Sequence, residues 1–322
     1  MIKYYFKRYK LILLLLMPIY IGVFLLSVIP SKKSITLPGG IKRIESEIII
    51  PSHVSNDFYS VYVMSYDRPT YLQTYMASLS HENDIETLTY VPSLQESIAS
   101  GTLFKTLSYT NALITAYEAA SLVDNNITIT YDTLGYVVTY SSSLLHINDV
   151  ITHIDGVAVL DRTQQAIIDD LKAKDIVTFT VLRNKAVKDI TLTKQHGVFG
   201  IMFELLREIK SATPQYTYTL QAQTTYGPSG GLLQALSIYS SLLNITFDKV
   251  IAGTGTMEAD HTVGAIGGVQ QKVYTVQGYV DLFLVPEVNY DAALEAYNTL
   301  KNPTFKLEKV RSFHHAIALL NP

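Results

Sequence analysis

The chain of 322 residues contains no cysteine and no tryptophan. Without thiols it has no disulfide, no thiolate metal site and no cysteine nucleophile, and it tolerates either redox compartment. Charge is sparse as well: Asp, Glu, Lys and Arg make up 16% of the residues, and the net charge is −3. The 25 basic residues form no long run beyond the N-terminus, so nucleic-acid binding is not expected. The eight histidines include no H-E-x-x-H and no second ligand at helical spacing, so no metal site is expected. A Walker-type G-x-x-x-x-G-K-[ST] is also missing, which excludes the ATP site of that class. No cofactor is expected.

Hydrophobic residues, in contrast, supply 48% of the chain, enough for a sizeable core. The 23 tyrosines have no physical account. From Leu11 to Ile29 there is no charge, a run just long enough to cross about 30 Å of hydrocarbon as a helix. Lys3, Lys7, Arg8 and Lys10 precede it. Residues 1–30 therefore predict a cytoplasmic tip and a single transmembrane anchor in the cell membrane, with the bulk of the chain extracytoplasmic. Lys32 and Lys33 on the far side weigh against that orientation. A cleaved signal peptide and a buried core helix are the competing readings, and SVIPS is a poor cleavage site.

Residues 31–125 form a juxtamembrane extracytoplasmic region in which no chemistry is legible. Strands are expected at Ser60–Met64 and Ile44–Ile50, and a helix within Leu94–Val123, where Leu94, Ile98, Leu103 and Leu107 share a face. Residues 126–196 are better marked. ITITYDTLGYVVTYSS predicts strand–turn–strand, and HINDVITHIDGVAVLDR predicts a strand ending in a turn at Asp155-Gly156. A helix from about Arg162 to Ala173 follows, then a hairpin turned at Asn184-Lys185.

In 197–322 the chain alternates strands and helices. A strand at Leu220–Thr225 is expected to lead into Gly227-Pro228-Ser229-Gly230-Gly231. Leu232, Ala235, Leu236, Tyr239 and Leu243 then fall at helical spacing. Ser229 thus lies at a strand-to-helix turn, where glycines admit a substrate carbonyl and free N–H groups can hold an oxyanion. Val250-Ile251-Ala252 enters Gly253-Thr254-Gly255-Thr256, and a helix is expected to begin near Gln270. Lys272 would sit in its first turn. The dipole and burial would both favour the neutral amine that a general base must be.

Two resemblances rest on these residues. The order of elements in 126–196, with I-N-D-V-I-T-H-I-D-G, resembles a PDZ domain of the bacterial protease type, although Asn148-Asp149 replaces the usual Gly-Asp. That resemblance implies peptide binding at Leu134, Gly135, Tyr136 and Val137. The second half is similar to the proteolytic domain of Lon-type peptidases: Gly227–Gly231 matches G-P-S-A-G, and Gly253–Lys272 matches G-T-G-T…G-x-V-x-P-I-G-G-x-x-x-K. Gly230 stands for alanine and Ala265 for proline, while Tyr226 occupies the position before the motif. The whole resembles the membrane-anchored PDZ-containing Lon-like proteases, an α+β architecture of transmembrane helix, PDZ-like domain and Lon-type α/β domain. The resemblance implies Ser229 as nucleophile, Lys272 as general base and Thr254 as the residue that orients the lysine. Backbone groups of Gly227, Pro228 and Gly230 would form the oxyanion hole.

The expected activity is an ATP-independent serine endopeptidase acting on exported or membrane-proximal peptides and proteins, with homo-oligomers possible. Two other readings stand beside it. One is a membrane-bound PDZ adaptor with an inactive peptidase half. The other is an α/β-hydrolase using Gly227-x-Ser229-x-Gly231 with Asp260 or Asp281 and His314 or His315. His261 is expected to serve a polar turn.

Overall fold

The computed structural model describes residues 2–46, 48, 56–88, 93–215 and 227–320. Helix α1 (Ile2–Val28) opens the chain, with Pro18 inside it. Among the described residues no helix is long and apolar enough to cross a membrane. This corrects the expectation of a transmembrane anchor, and with it the placement as a single-pass cell-membrane protein with a cytoplasmic N-terminus. The reason is one of length: four basic residues occupy the first third of α1, Pro18 interrupts the remainder, and the uncharged run leaves no margin against the hydrocarbon thickness.

β1 (Lys33–Arg43) and β2 (Phe58–Asp67) pair antiparallel. Helix α2 (Tyr71–Ala77), capped by Thr70, leads to β3 (Asp84–Thr87) on the other edge of β1. Helix α3 (Leu94–Ser121) starts from a capping box in which Ser93 and Glu96 satisfy each other's backbone donors. The expected strand at Ile44–Ile50 is instead a short 3-10 turn over Ile44–Ser46, and residues 49–50 lie outside the described residues.

A second sheet follows, built from β4 (Thr128–Ser141), β5 (Val150–Ile154), β6 (Val157–Ala158), β7 (Ile176–Arg183), β8 (Ala186–Thr193) and β9 (Ile201–Thr213). Its order is β8-β7-β5-β4-β9, and α4 (Gln164–Ala173) packs Ile167 and Leu171 into its core. The expected strand–turn–strand at its start is one bulged strand, β4. Asn184 and Lys185 both take positive φ and close the β7–β8 hairpin as expected. Asn148 adopts φ 75°, supplying the left-handed geometry that glycine would give.

The chain then returns to the first sheet. Helix α5 (Gly231–Leu242) is followed by β10 (Ile251–Gly253), a small hairpin of β11 (Thr256–Met257) and β12 (Val263–Gly264), and helix α6 (Val269–Val276). β13 (Leu282–Pro286), α7 (Tyr290–Thr299), β14 (Lys306–Val310) and α8 (Phe313–Leu320) complete it. The final order is β14-β13-β10-β2-β1-β3, with β10 parallel to both β2 and β13. Residues 31–125 are therefore no separate region: they supply half of this sheet. Its core has two layers, α3, α5 and α8 on one face and α6 and α7 on the other. Every residue from Gly231 to Ser241 is buried, as a helix packed on all sides requires.

Candidate active site

Ser229 lies two residues before α5, whose N-cap is Gly230. Three backbone contacts hold this turn: Gly255 N–H donates to Ser229 O at 2.8 Å, Gly231 N–H to Pro228 O at 3.2 Å, and Leu232 N–H to Gly255 O at 3.1 Å. Helix α3 adds a fourth. Ser108 Oγ donates to Pro228 O at 2.9 Å and accepts from Met257 N–H at 3.2 Å. A Cβ on Gly231 would come within 2.3 Å of that Oγ, so the close approach of α3 needs a glycine there. Among the described residues, Ser229 Oγ itself has no hydrogen-bond partner. The strand expected at Leu220–Thr225, and Tyr226, lie outside the described residues.

Lys272 comes from the other face of the sheet. Gly268, at φ 66°, caps α6, and Lys272 N–H makes the first helical bond, to Gly268 O at 3.1 Å. The lysine therefore stands one position beyond the free N–H groups of the first turn. Burial depresses it: Lys272 is 2% exposed, and its pKa is pushed down from 10.5 to about 7. Its Nζ donates to Thr254 Oγ1 at 2.8 Å, and Thr254 Oγ1 in turn donates to Ser229 O at 3.3 Å. Thr254 follows β10 directly and is fully buried. One hydroxyl thus bridges the lysine amine to the serine's own peptide group.

Ser229 and Lys272 line one groove of about 900 Å³ with Gly227, Pro228 and Ala265–Gly268. Tyr62, Val63 and Met64 of β2 and Ile41 of β1 complete its wall. Of the expected oxyanion groups, Gly227 N–H is spent on Gly101 O at 3.3 Å, and Pro228 has no N–H to offer. This corrects both. The N–H groups of Ser229 and Gly230 make no backbone hydrogen bond among the described residues and face no such competition.

The expected peptide-binding segment is also displaced. Leu134, Gly135, Tyr136 and Val137 lie inside β4 rather than in an open loop. Tyr136 pairs with Leu205 of β9 on one edge and Ile151 of β5 on the other, and Val137 with Glu204 and Val150, so neither edge is free for an added strand. Histidine chemistry finds no support near Ser229: His261 Nδ1 meets Thr115 Oγ1 at 2.9 Å and its Nε2 meets Glu118 at 3.2 Å, while His314 and His315 lie on α8. Asp281 accepts from Val250 N–H, and Asp260 caps the turn at Thr262.

Sequence reasoning missed Ser108 and the β1–β2 wall. No local signal marks them, because their roles exist only once the first 125 residues meet the last 100.

No protein-family model matches the chain, and neither does any curated protein. Among solved structures the chain is similar to the PDZ domain of the SdrC-like protein from Listeria monocytogenes, with 25% identity and a TM-score of 0.20. That match covers 24% of this chain and 92% of the other. It is a partial, PDZ-like likeness and carries no argument about the remainder.

Proposed function

We propose that the protein is a serine peptidase in which Ser229 is the nucleophile and Lys272 the general base. The observation that carries this reading is the buried amine of Lys272, which is hydrogen-bonded to a hydroxyl rather than to a carboxylate, in the groove that holds Ser229. A lysine so placed is neutral at pH 7 to 8 in much of the population, and a neutral amine can take the proton of a serine hydroxyl. Ser229 Oγ then attacks the scissile carbonyl, Lys272 gives the proton it took to the departing amine as the C–N bond breaks, and water hydrolyses the acyl-enzyme with Lys272 again as base. Ser229 N–H and Gly230 N–H are the donors left to stabilise the oxyanion. Thr254 is a positioning residue, holding Nζ and Ser229 O at once. With no Walker motif in the sequence, the reaction takes place without ATP, on peptides or loosely folded segments.

The test is digestion of casein by the full chain, wild type against Ser229→Ala and Lys272→Arg. Both variants should lose several orders of magnitude in kcat. Arginine keeps the charge and cannot act as a base, so an active Lys272→Arg enzyme refutes the mechanism. Wild type that cleaves nothing favours a binding module instead.

A further inference from the structure

A second cavity, of about 440 Å³, opens between α3, β9 and the β11–β12 hairpin, and shares Pro228 and Ala265 as walls with the groove of Ser229. Its apolar side is Phe104 and Leu107 of α3. Its polar side offers acceptors. Glu204, Glu258 and Asp260 line it, and among the described residues no lysine, arginine or histidine does. The Glu204 side chain makes no hydrogen bond among the described residues, and burial, then the Glu258 charge, push its pKa up to about 7. Among the described residues the Glu258 carboxylate accepts only from Thr256 Oγ1. A separate observation comes from Asn111, 92% buried on α3: its Nδ2 donates to Met257 O at 3.0 Å, which leaves its Oδ1 without a partner among the described residues, on the cavity wall. The Glu204 and Glu258 carboxylates are half-buried, and a guest that brings N–H donors would supply partners to them and to Asn111 Oδ1. The carboxylates form no metal-binding group among the described residues, so a long organic cation fits this lining better than a metal ion.

We propose that this cavity receives an arginine or lysine side chain of the peptide cleaved at Ser229, with Glu204, Glu258 and Asn111 Oδ1 as its acceptors. The inference rests on the peptidase reading above and gives it a substrate class. It also gives the second sheet a function, since β9 supplies Glu204 to the cavity wall. The side chain's stem would lie along Phe104 and Leu107, and its head would reach the carboxylates.

The experiment digests a degenerate peptide mixture with the full chain and maps the cuts by mass spectrometry. Arginine or lysine should be enriched at one fixed position from the cut bond. For a single peptide carrying arginine there, replacement by the uncharged isostere citrulline should lower kcat/KM about tenfold or more, as for a site built to bind a lost charge. Glu204→Gln should remove most of that ratio, bringing the arginine and citrulline peptides close to equal kcat/KM. Cleavage that depends on Ser229 but ignores the arginine–citrulline exchange overturns the proposal and leaves the peptidase reading standing. If wild type cuts nothing, the peptidase reading fails, and titration of both fluorescent peptides onto Ser229→Ala decides the cavity separately. Tighter binding of the arginine peptide supports the pocket. Equal binding, or displacement of the arginine peptide by Ca²⁺ or Mn²⁺ at equal ionic strength, overturns it.

Discussion

Replacing Lys272 by methionine should abolish activity and make the protein more stable. The stem keeps its packing in the α6 face of the core, and only the ammonium is lost. A lysine moved from 10.5 to about 7 carries a penalty on the order of 5 kcal/mol for its charged form. Against this stands the bond to Thr254 Oγ1, which contributes about 1 kcal/mol. At pH 6 the folded and unfolded lysines are both protonated and wild type bears the full penalty. There, Lys272→Met should gain about 3 to 4 kcal/mol. Between pH 7 and 10.5 the unfolded chain holds one proton more than the folded one, so wild-type stability rises with pH and the gap closes. Guanidinium unfolding followed by far-ultraviolet circular dichroism at pH 6, 8 and 10 measures it. A gap that stays constant over this range, or a variant less stable than wild type at pH 6, refutes the assignment of a buried, depressed lysine.

Other outcomes follow from the same geometry. With a citrulline substrate, which brings no charge to Glu204, kcat/KM should climb tenfold per pH unit below about 7 and then level off, since the base must be neutral; a flat profile from pH 5 to 9 contradicts it. Thr254→Val removes the bridge and should lower kcat about 100-fold with little change in KM, while Thr254→Ser restores most of it; equal loss in both argues against positioning by the hydroxyl. In the second sheet, burial raises the Asp149 carboxyl, but the Arg183 fork and His146 N–H outweigh it and hold it below its usual range. Asp149→Asn should cost about 3 kcal/mol at pH 7 by leaving Arg183 unpaired, and the cost should fade as pH drops below the folded pKa, where wild type loses the ion pair as well. Gly268→Ala places a Cβ 3.0 Å from Val63 Cγ1 at φ 66° and should cost about 1 to 2 kcal/mol by thermal melting, with activity falling further as Lys272 shifts.

Much of the candidate site is legible in two glycine-flanked segments, because its chemistry is local: Ser229 needs a turn before a helix, and Lys272 a helix after one. The periodicity of α3 and α5 and the Asn184-Lys185 turn are legible for the same reason. What escaped the sequence is whatever depends on distance along the chain. The β1–β2 hairpin shows period-2 residues but not that β10 will pair with it. Ser108 reads as one more polar residue on a helix, and the role of Gly231 appears only when Ser108 arrives beside it. Leu134–Val137 misled because a segment that can form an open loop is also a good strand, and β9, far along the chain, claims its second edge. The N-terminal apolar run misled through its marginal length.

The sheet order has a consequence for the timing of synthesis. β10 is one of the two central strands, lying between β2, made before it, and β13, made after it. Thr254, which ties Lys272 to Ser229, follows that strand directly. While the chain is emerging, β2 has no partner on that edge, and the second sheet can close first because its strands are contiguous in sequence. The serine turn would then wait, built but without its base, until α6 folds over the finished sheet. A fragment comprising 197–322 alone would lack β1, β2 and α3 and should not assemble the site at all. The proposed dyad would therefore stay apart, by chain order alone, until α6 and the strands after it have been made.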